Sequence, residues 1–95
     1  MIKGKQYYLV KETKYFVDPH GTPDQGGVQK FVTDDKSYLE RDGKWFQYDS
    51  EVDSEDDLLS DTDGYNSEAE FYEVKPITAF EAEEIQKIIE AYEKL

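Results

Sequence analysis

Ninety-five residues with 23 Asp and Glu against 11 Lys and Arg carry a formal net charge of −12 and contain no cysteine. That length makes one domain with one modest core, and the missing cysteines exclude a disulfide framework, a thiolate metal site and a cysteine nucleophile. The charge turns the chain away from nucleic acid and anionic membranes and toward basic protein surfaces.

Eight Tyr, five Phe and one Trp bring the aromatic content to 15%, which supplies ring area for a core and argues against disorder. The opening Met-Ile-Lys-Gly-Lys-Gln has no hydrophobic signal region, and no apolar run reaches a membrane-spanning length. The expectation is a soluble, cytoplasmic protein.

Gln6–Lys11 and Lys14–Asp18 are rich in β-formers and predict either one bent strand or a tight pair. Two Pro and three Gly in residues 19–27 predict an exposed loop. Val28–Thr33 alternates as a further strand, and Asp34-Asp35-Lys36 reads as a turn. Asp42-Gly43 sits between Ser37–Arg41 and Lys44–Tyr48. This is a two-residue hairpin signal, which would pair Tyr38 and Leu39 with Trp45, Phe46 and Tyr48 and set Trp45 at the centre of the core. Ser54 ahead of Glu55-Asp56-Asp57 reads as the N-cap of one helical turn. Phe71–Val74 is a last strand.

Thr78 and Glu81 then form a capping box, with Ile77 and Ala82 as its hydrophobic staple. Ala82, Ile85, Ile89 and Tyr92 recur at helical spacing, and Glu83–Lys87 and Glu90–Lys94 are placed for i,i+4 ion pairs. The implied class is α+β: an antiparallel sheet of four or five strands with one C-terminal helix packed on it. It is a single domain in which residues 1–48 build the sheet, 49–69 form a long acidic surface connection and 70–95 supply the final strand and helix.

The charge is concentrated. Residues 1–48 carry a net +1 and residues 74–95 a net −2, while residues 49–73 hold eleven acids and no Lys or Arg. Asp49, Glu51, Asp53, Glu55 and Asp57 alternate. In an extended chain they would project from one side about 6.6 Å apart, a pitch that loosely imitates a nucleic-acid backbone. The expected partner is therefore a basic protein, a nucleic-acid-binding enzyme whose groove the acids occupy. Asp49, Glu51, Asp53, Glu55, Asp56, Asp57, Asp61 and Asp63 are the expected contacts, with Val52, Leu58 and Tyr65 as apolar anchors.

A second reading is a calcium or metal module. Asp61, Asp63, Ser67 and Glu70 fall at EF-hand ligand offsets around Gly64, although the first ligand position falls on Leu59. Ser50, Ser54, Ser60 and Ser67 each have an acid three residues on, a context that suits acid-directed phosphorylation. It also follows from composition alone. His20, the only histidine, stands in the Pro/Gly loop with no nucleophile near it in sequence, so no catalytic site and no cofactor is expected. An assembly role through an exposed sheet edge is a further alternative.

The closing run Glu70–Ile85, Glu-Phe-Tyr-Glu-Val-Lys-Pro-Ile-Thr-Ala-Phe-Glu-Ala-Glu-Glu-Ile, resembles the C-terminal end of small acidic proteins of Firmicutes and their phages. In those, a short strand leads through a capping box into a final helix. The resemblance implies no activity of its own. By analogy it implies a phage inhibitor of host defence nucleases, of the anti-CRISPR kind, acting in the host cytoplasm.

Overall fold

The computed structural model describes residues 1–20, 22–59 and 67–93. Five strands form one antiparallel sheet: β1 (Tyr7–Val17), β2 (Pro23–Thr33), β3 (Trp45–Gln47), β4 (Ser50–Val52) and β5 (Ser67–Ile77). Their order is β2-β1-β5-β3-β4. A 3-10 helix spans Lys36–Arg41, a 3-10 turn spans Glu55–Asp57, and α1 (Ala79–Glu93) closes the described chain. The expected α+β class, with its C-terminal helix on an antiparallel sheet, is what forms.

The first two expected strands are one continuous strand of 11 residues, because β5 pairs with it along its whole length, from Tyr7 opposite Ile77 to Val17 opposite Ser67. The expected loop over residues 19–27 is shorter. β2 begins at Pro23, and Asp18 closes the connection by accepting the backbone N–H groups of His20 and Thr22 on Oδ1. Gly26 lies inside β2, where the register against β1 slips between Thr13 and Tyr15. The Phe16 ring covers this position so closely that a Cβ here would lie 2.6 Å from ring carbon Cε2.

The hairpin expected at Asp42-Gly43 does not form. Lys36–Arg41 coils into the 3-10 helix, whose N-cap Asp35 accepts the Ser37 N–H at 2.9 Å, and hydrogen bonding from the Ser37 side chain first and its backbone next holds the Asp35 carboxyl below the usual range. Asp42 is used differently: its Oδ1 accepts the Val74 N–H at 2.8 Å. Gly43 supplies a left-handed φ of 71° and donates to Tyr72 O. The two-residue hairpin sits one strand later, at Tyr48-Asp49, with φ of 54° and 60° between Gln47 and Ser50. Both central residues are left-handed, as a type I′ turn requires. Neither is glycine, so the turn stores local strain.

Period-2 alternation gives the sheet two used faces. On one, α1 packs its Ala82 and Ile85 against Tyr7, Leu9, Val32 and Ile77. The capping box forms as expected, with Glu81 N–H donating to Thr78 Oγ1 at 3.1 Å and Thr78 N–H to Glu81 Oε1 at 3.2 Å. Glu83 does not reach Lys87. Lys87 pairs with Glu84 at 3.5 Å instead, and Lys94 lies outside the described residues.

On the opposite face, Tyr8, Val10, Tyr72 and Val74 form a cluster roofed by Phe31, Tyr38 and Phe46. Arg41 lies over three of those rings, with its guanidinium carbon 5.0 Å from Phe46, 5.2 Å from Tyr72 and 5.5 Å from Tyr38. Trp45 is not the centre of the core. It is half-buried toward the β3–β4 edge, between Tyr15 at 4.8 Å and Phe71 at 5.0 Å, while Val10 and Val17 are the largest fully buried side chains.

Candidate functional site: an acidic groove at the β4 edge

Over its described residues 49–59, the acidic segment is neither one extended row nor one loose loop. Asp49 turns left-handed, Glu51 lies in β4, and Glu55–Asp57 coil, so between Asp49 and Asp57 the only strand is Ser50–Val52. The expected straight ladder of five carboxylates is therefore folded into a knuckle at the β4 edge. A groove of about 470 Å³ runs along it, lined by Tyr48, Glu51, Val52, Asp53, Asp57 and Leu59. Ser54 is the N-cap of the 3-10 turn but makes no side-chain cap bond to the backbone, and its hydroxyl donates to Asp57 Oδ2 at 3.2 Å.

The knuckle is held by a buried amide. Gln47 takes an inward position on β3 that its alternation with Trp45 assigns to the same face. Its Oε1 accepts the Leu59 N–H at 2.7 Å, and its Nε2 donates to Leu59 O at 2.9 Å and to Ser67 Oγ at 3.2 Å. Ser67 donates its hydroxyl to the same Leu59 carbonyl at 2.6 Å. The side chain thus stands in for a neighbouring strand and ties residue 59 to the sheet. Leu58 follows from this clamp. It is 6% exposed, packed with Val17 and Ala69 under Trp45 and Val52, and so belongs to the core and not to a contact surface. The apolar groups left outside are Tyr48, 69% exposed, and Leu59, 62% exposed.

Among the described residues, the charge on the knuckle is barely neutralised. Of Asp49, Glu51, Asp53, Glu55, Asp56 and Asp57, only Glu51 meets a cation, Lys44 at 2.9 Å. The acids farther on are sheet residues with different surroundings. Glu73 pairs with Lys11 at 3.5 Å and Glu68 with Lys14 at 3.7 Å. Lys14 lies directly across from Glu70 but reaches Glu68. Glu70 is left partly buried among Glu12, Glu68 and Asp49, and its pKa is raised, by burial first and by those carboxylates next.

A carboxyl whose folded pKa is raised stabilises the fold below its ordinary 4.5 relative to neutral pH, and that advantage is lost as pH rises through the folded value. Glu70→Gln is therefore expected to melt higher than the parent at about pH 7 and alike at about pH 4, read by paired thermal melts.

Asp61, Asp63 and Tyr65 lie outside the described residues. Ser67 and Glu70 do not converge: three positions apart on one strand, they point to opposite faces, and the Ser67 hydroxyl is already engaged. Among the described residues no three His, Cys, Asp or Glu side chains gather as a metal set. His20 is exposed, and so are Ser50 and Ser54, while Ser67 is buried and Ser60 is outside the described residues.

Sequence reasoning gave Gln47 no role and gave Ser67, Tyr48 and Leu59 other roles than the ones they have here. A polar side chain at an inward position of an aromatic strand was the available signal for the first.

No helix among the described residues is long and apolar enough to cross a membrane. The chain matches no family model, no curated protein and no solved structure.

Proposed function

We propose that the protein is a non-enzymatic binding protein that seats a cationic protein surface on the Asp49–Asp57 knuckle. In this reading it is an inhibitor that offers nucleic-acid-like charge to the basic groove of a nucleic-acid-binding enzyme. The host-defence nucleases suggested by the C-terminal resemblance are the partner class to test first.

One observation carries the reading. Five of the six knuckle carboxylates have no cation within 4 Å among the described residues, and Gln47 holds that unbalanced charge beside exposed Tyr48 and Leu59. Uncompensated carboxylates on an anchored backbone steer a cationic partner and lose little order on binding. The two exposed apolar side chains supply contact area that charge alone does not. The knuckle presents a compact patch and not a linear row, which suits a pocket of clustered Lys and Arg better than a long duplex channel.

The test is a variant with Asp53, Glu55, Asp56 and Asp57 changed to their amides, compared with the parent in capture from host lysate at about 0.1 M and 0.5 M salt. The parent is expected to retain a basic nucleic-acid enzyme at the lower salt and release it at the higher, and duplex DNA should displace it. The amide variant is expected to bind at least ~100-fold more weakly. Undiminished binding by the amide variant would overturn the proposal.

A further inference from the structure

We infer that the outer edge of β4 takes an extended, Lys- or Arg-bearing segment of the partner as a sixth strand. The inference rests on the cationic-partner reading above and names the part of the partner that is seated. The pairings fix which backbone groups are open. Gln47 and Ser50 flank the two-residue turn, so they exchange the pair of hydrogen bonds that closes such a hairpin. Trp45 and Val52 are the next bonded pair, and Phe46 between them turns to Glu70 of β5. On β4 the alternation sends the Ser50 and Val52 backbones inward. The Glu51 N–H and C=O therefore point outward from the last strand of the sheet, where no strand lies among the described residues.

This edge opens into a slot. The groove of about 470 Å³ is lined both by Ser50, Glu51 and Val52 of the strand and by Asp57 and Leu59 of the segment that returns to the sheet. Gln47 ties Leu59 down, so that wall stands before a partner arrives. A partner residue that exchanges both its bonds with Glu51 puts its side chain on the Glu51 face of the sheet. Its two neighbours face the other way, with Val52 and with Gln47, to which Leu59 is tied. Val52 is half-buried and Leu59 is largely exposed. A chain that alternates cationic and apolar residues fits both faces. Strand addition recognises partners in this way, with backbone bonds for affinity and alternate side chains for selection.

Charge selects the occupant. Glu51, Asp53 and Asp57 line the groove, and no Lys or Arg does. Lys44 meets Glu51 at Oε1, while Asp53 and Asp57 have no cation within 4 Å among the described residues. A second copy of this chain, at −12, is repelled from such an edge, as is any acidic strand. β4 is also only three residues long, too short to template a growing sheet. A basic segment is favoured where these are penalised. Its cations are drawn in by the carboxylates, and its backbone finds the one open N–H and C=O pair beside them.

The probe is a capped eight-residue peptide of alternating Arg and Val, titrated calorimetrically into the full chain at about 0.1 M salt. The parent is expected to bind it with a Kd of about 100 μM or tighter, and the Glu51 amide is expected to exchange more slowly in the complex. Two further peptides keep every charge. One is methylated on the backbone nitrogens of its arginines, which are the groups aimed at Glu51 when arginine lies opposite it. The other is methylated on those of its valines, which point away. The first is expected to bind at least ~10-fold more weakly than the second. Glu51→Pro removes the outward N–H and is expected to bind the parent peptide at least ~10-fold more weakly than Glu51→Gln, which removes only the charge. Equal affinities for the two methylated peptides would end the strand-addition inference, as would a parent that binds no peptide at about 1 mM, and neither result touches capture of a folded basic enzyme. Conversely, undiminished peptide binding by the knuckle amide variant counts against the charge reading and leaves the strand pairing standing. If Glu51→Pro fails to fold, the methylated pair decides alone.

Discussion

Gln47→Ala is expected to lower the melting temperature by roughly 10–20 °C, the equivalent of ~3 kcal/mol in a domain of this size. Three hydrogen bonds vanish together, and the Leu59 N–H loses its acceptor in a partly buried position, while the Leu59 carbonyl keeps only the Ser67 hydroxyl. The loss is not confined to stability. Without the clamp, Leu59 and the 3-10 turn before it are untied from the sheet, so the amide exchange of residues 55–59 should rise more than that of β1 and β5. Binding of a cationic partner should weaken even though every carboxylate is still present. Gln47→Glu sharpens the test. It puts a carboxylate oxygen against the Leu59 carbonyl, so the variant should be unstable at neutral pH and recover as falling pH protonates it. Melts of both variants across pH check the pair. A Gln47→Ala protein that melts within a degree or two of the parent would remove the clamp from the account.

Tyr72→Ala is expected to cost about 3–5 kcal/mol, measured as a shift of the urea midpoint. The ring is buried at the middle of the sheet, 5.4 Å from Phe46 and 6.5 Å from Tyr38, with the Arg41 guanidinium carbon 5.2 Å from its centroid. Its removal opens the cluster built on Tyr8, Val10 and Val74 and leaves Arg41 one ring fewer to lie on. Against a total stability of roughly 5–14 kcal/mol for 95 residues, that loss brings the protein close to its unfolding threshold. Tyr72→Phe isolates the hydroxyl. It gives up one 3.3 Å bond from Arg41 Nη1, in surroundings where burial and Glu12 already hold the phenol in its neutral form. A cost of about 1 kcal/mol or less is expected. Equal losses from the two variants would mean that the polar contact, and not the ring, holds the cluster.

What the sequence made legible divides along physical lines. The C-terminal helix was readable because its start is encoded locally, in the reciprocal Thr78–Glu81 bonds. The strand at Phe71–Val74 was readable from composition, but its length was not, since Ser67 to Ile77 is extended by pairing with β1. Asp42-Gly43 misled because the same two residues serve a tertiary role: a carboxylate bonded to Val74 and a left-handed glycine bonded to Tyr72. The real hairpin at Tyr48-Asp49 carries no glycine, so its strain is sustained by the strands on either side. At the candidate site, the identity of the acids was plain from the sequence and their arrangement was not. Whether Asp49 through Asp57 make a line or a knuckle depends on the Gln47 clamp, a contact between residues 12 apart that no local pattern announces. The same clamp draws Leu58 inward, which is why an expected anchor became a core residue.

The position of β5 shapes how the chain reaches its native state. It is the last strand in sequence and the middle strand of the sheet, and the bond from Gln6 to Ile77 bridges 71 positions. β1 and β2 can zip as a local hairpin, but β3 and β4 have nothing to dock on until β5 arrives. Bringing it in closes a loop through the most negative part of the polypeptide, where self-repulsion keeps the unfolded chain expanded. Docking of β5 is thus expected to be slowed by charge as well as by topology. Added salt is expected to speed folding by screening that repulsion.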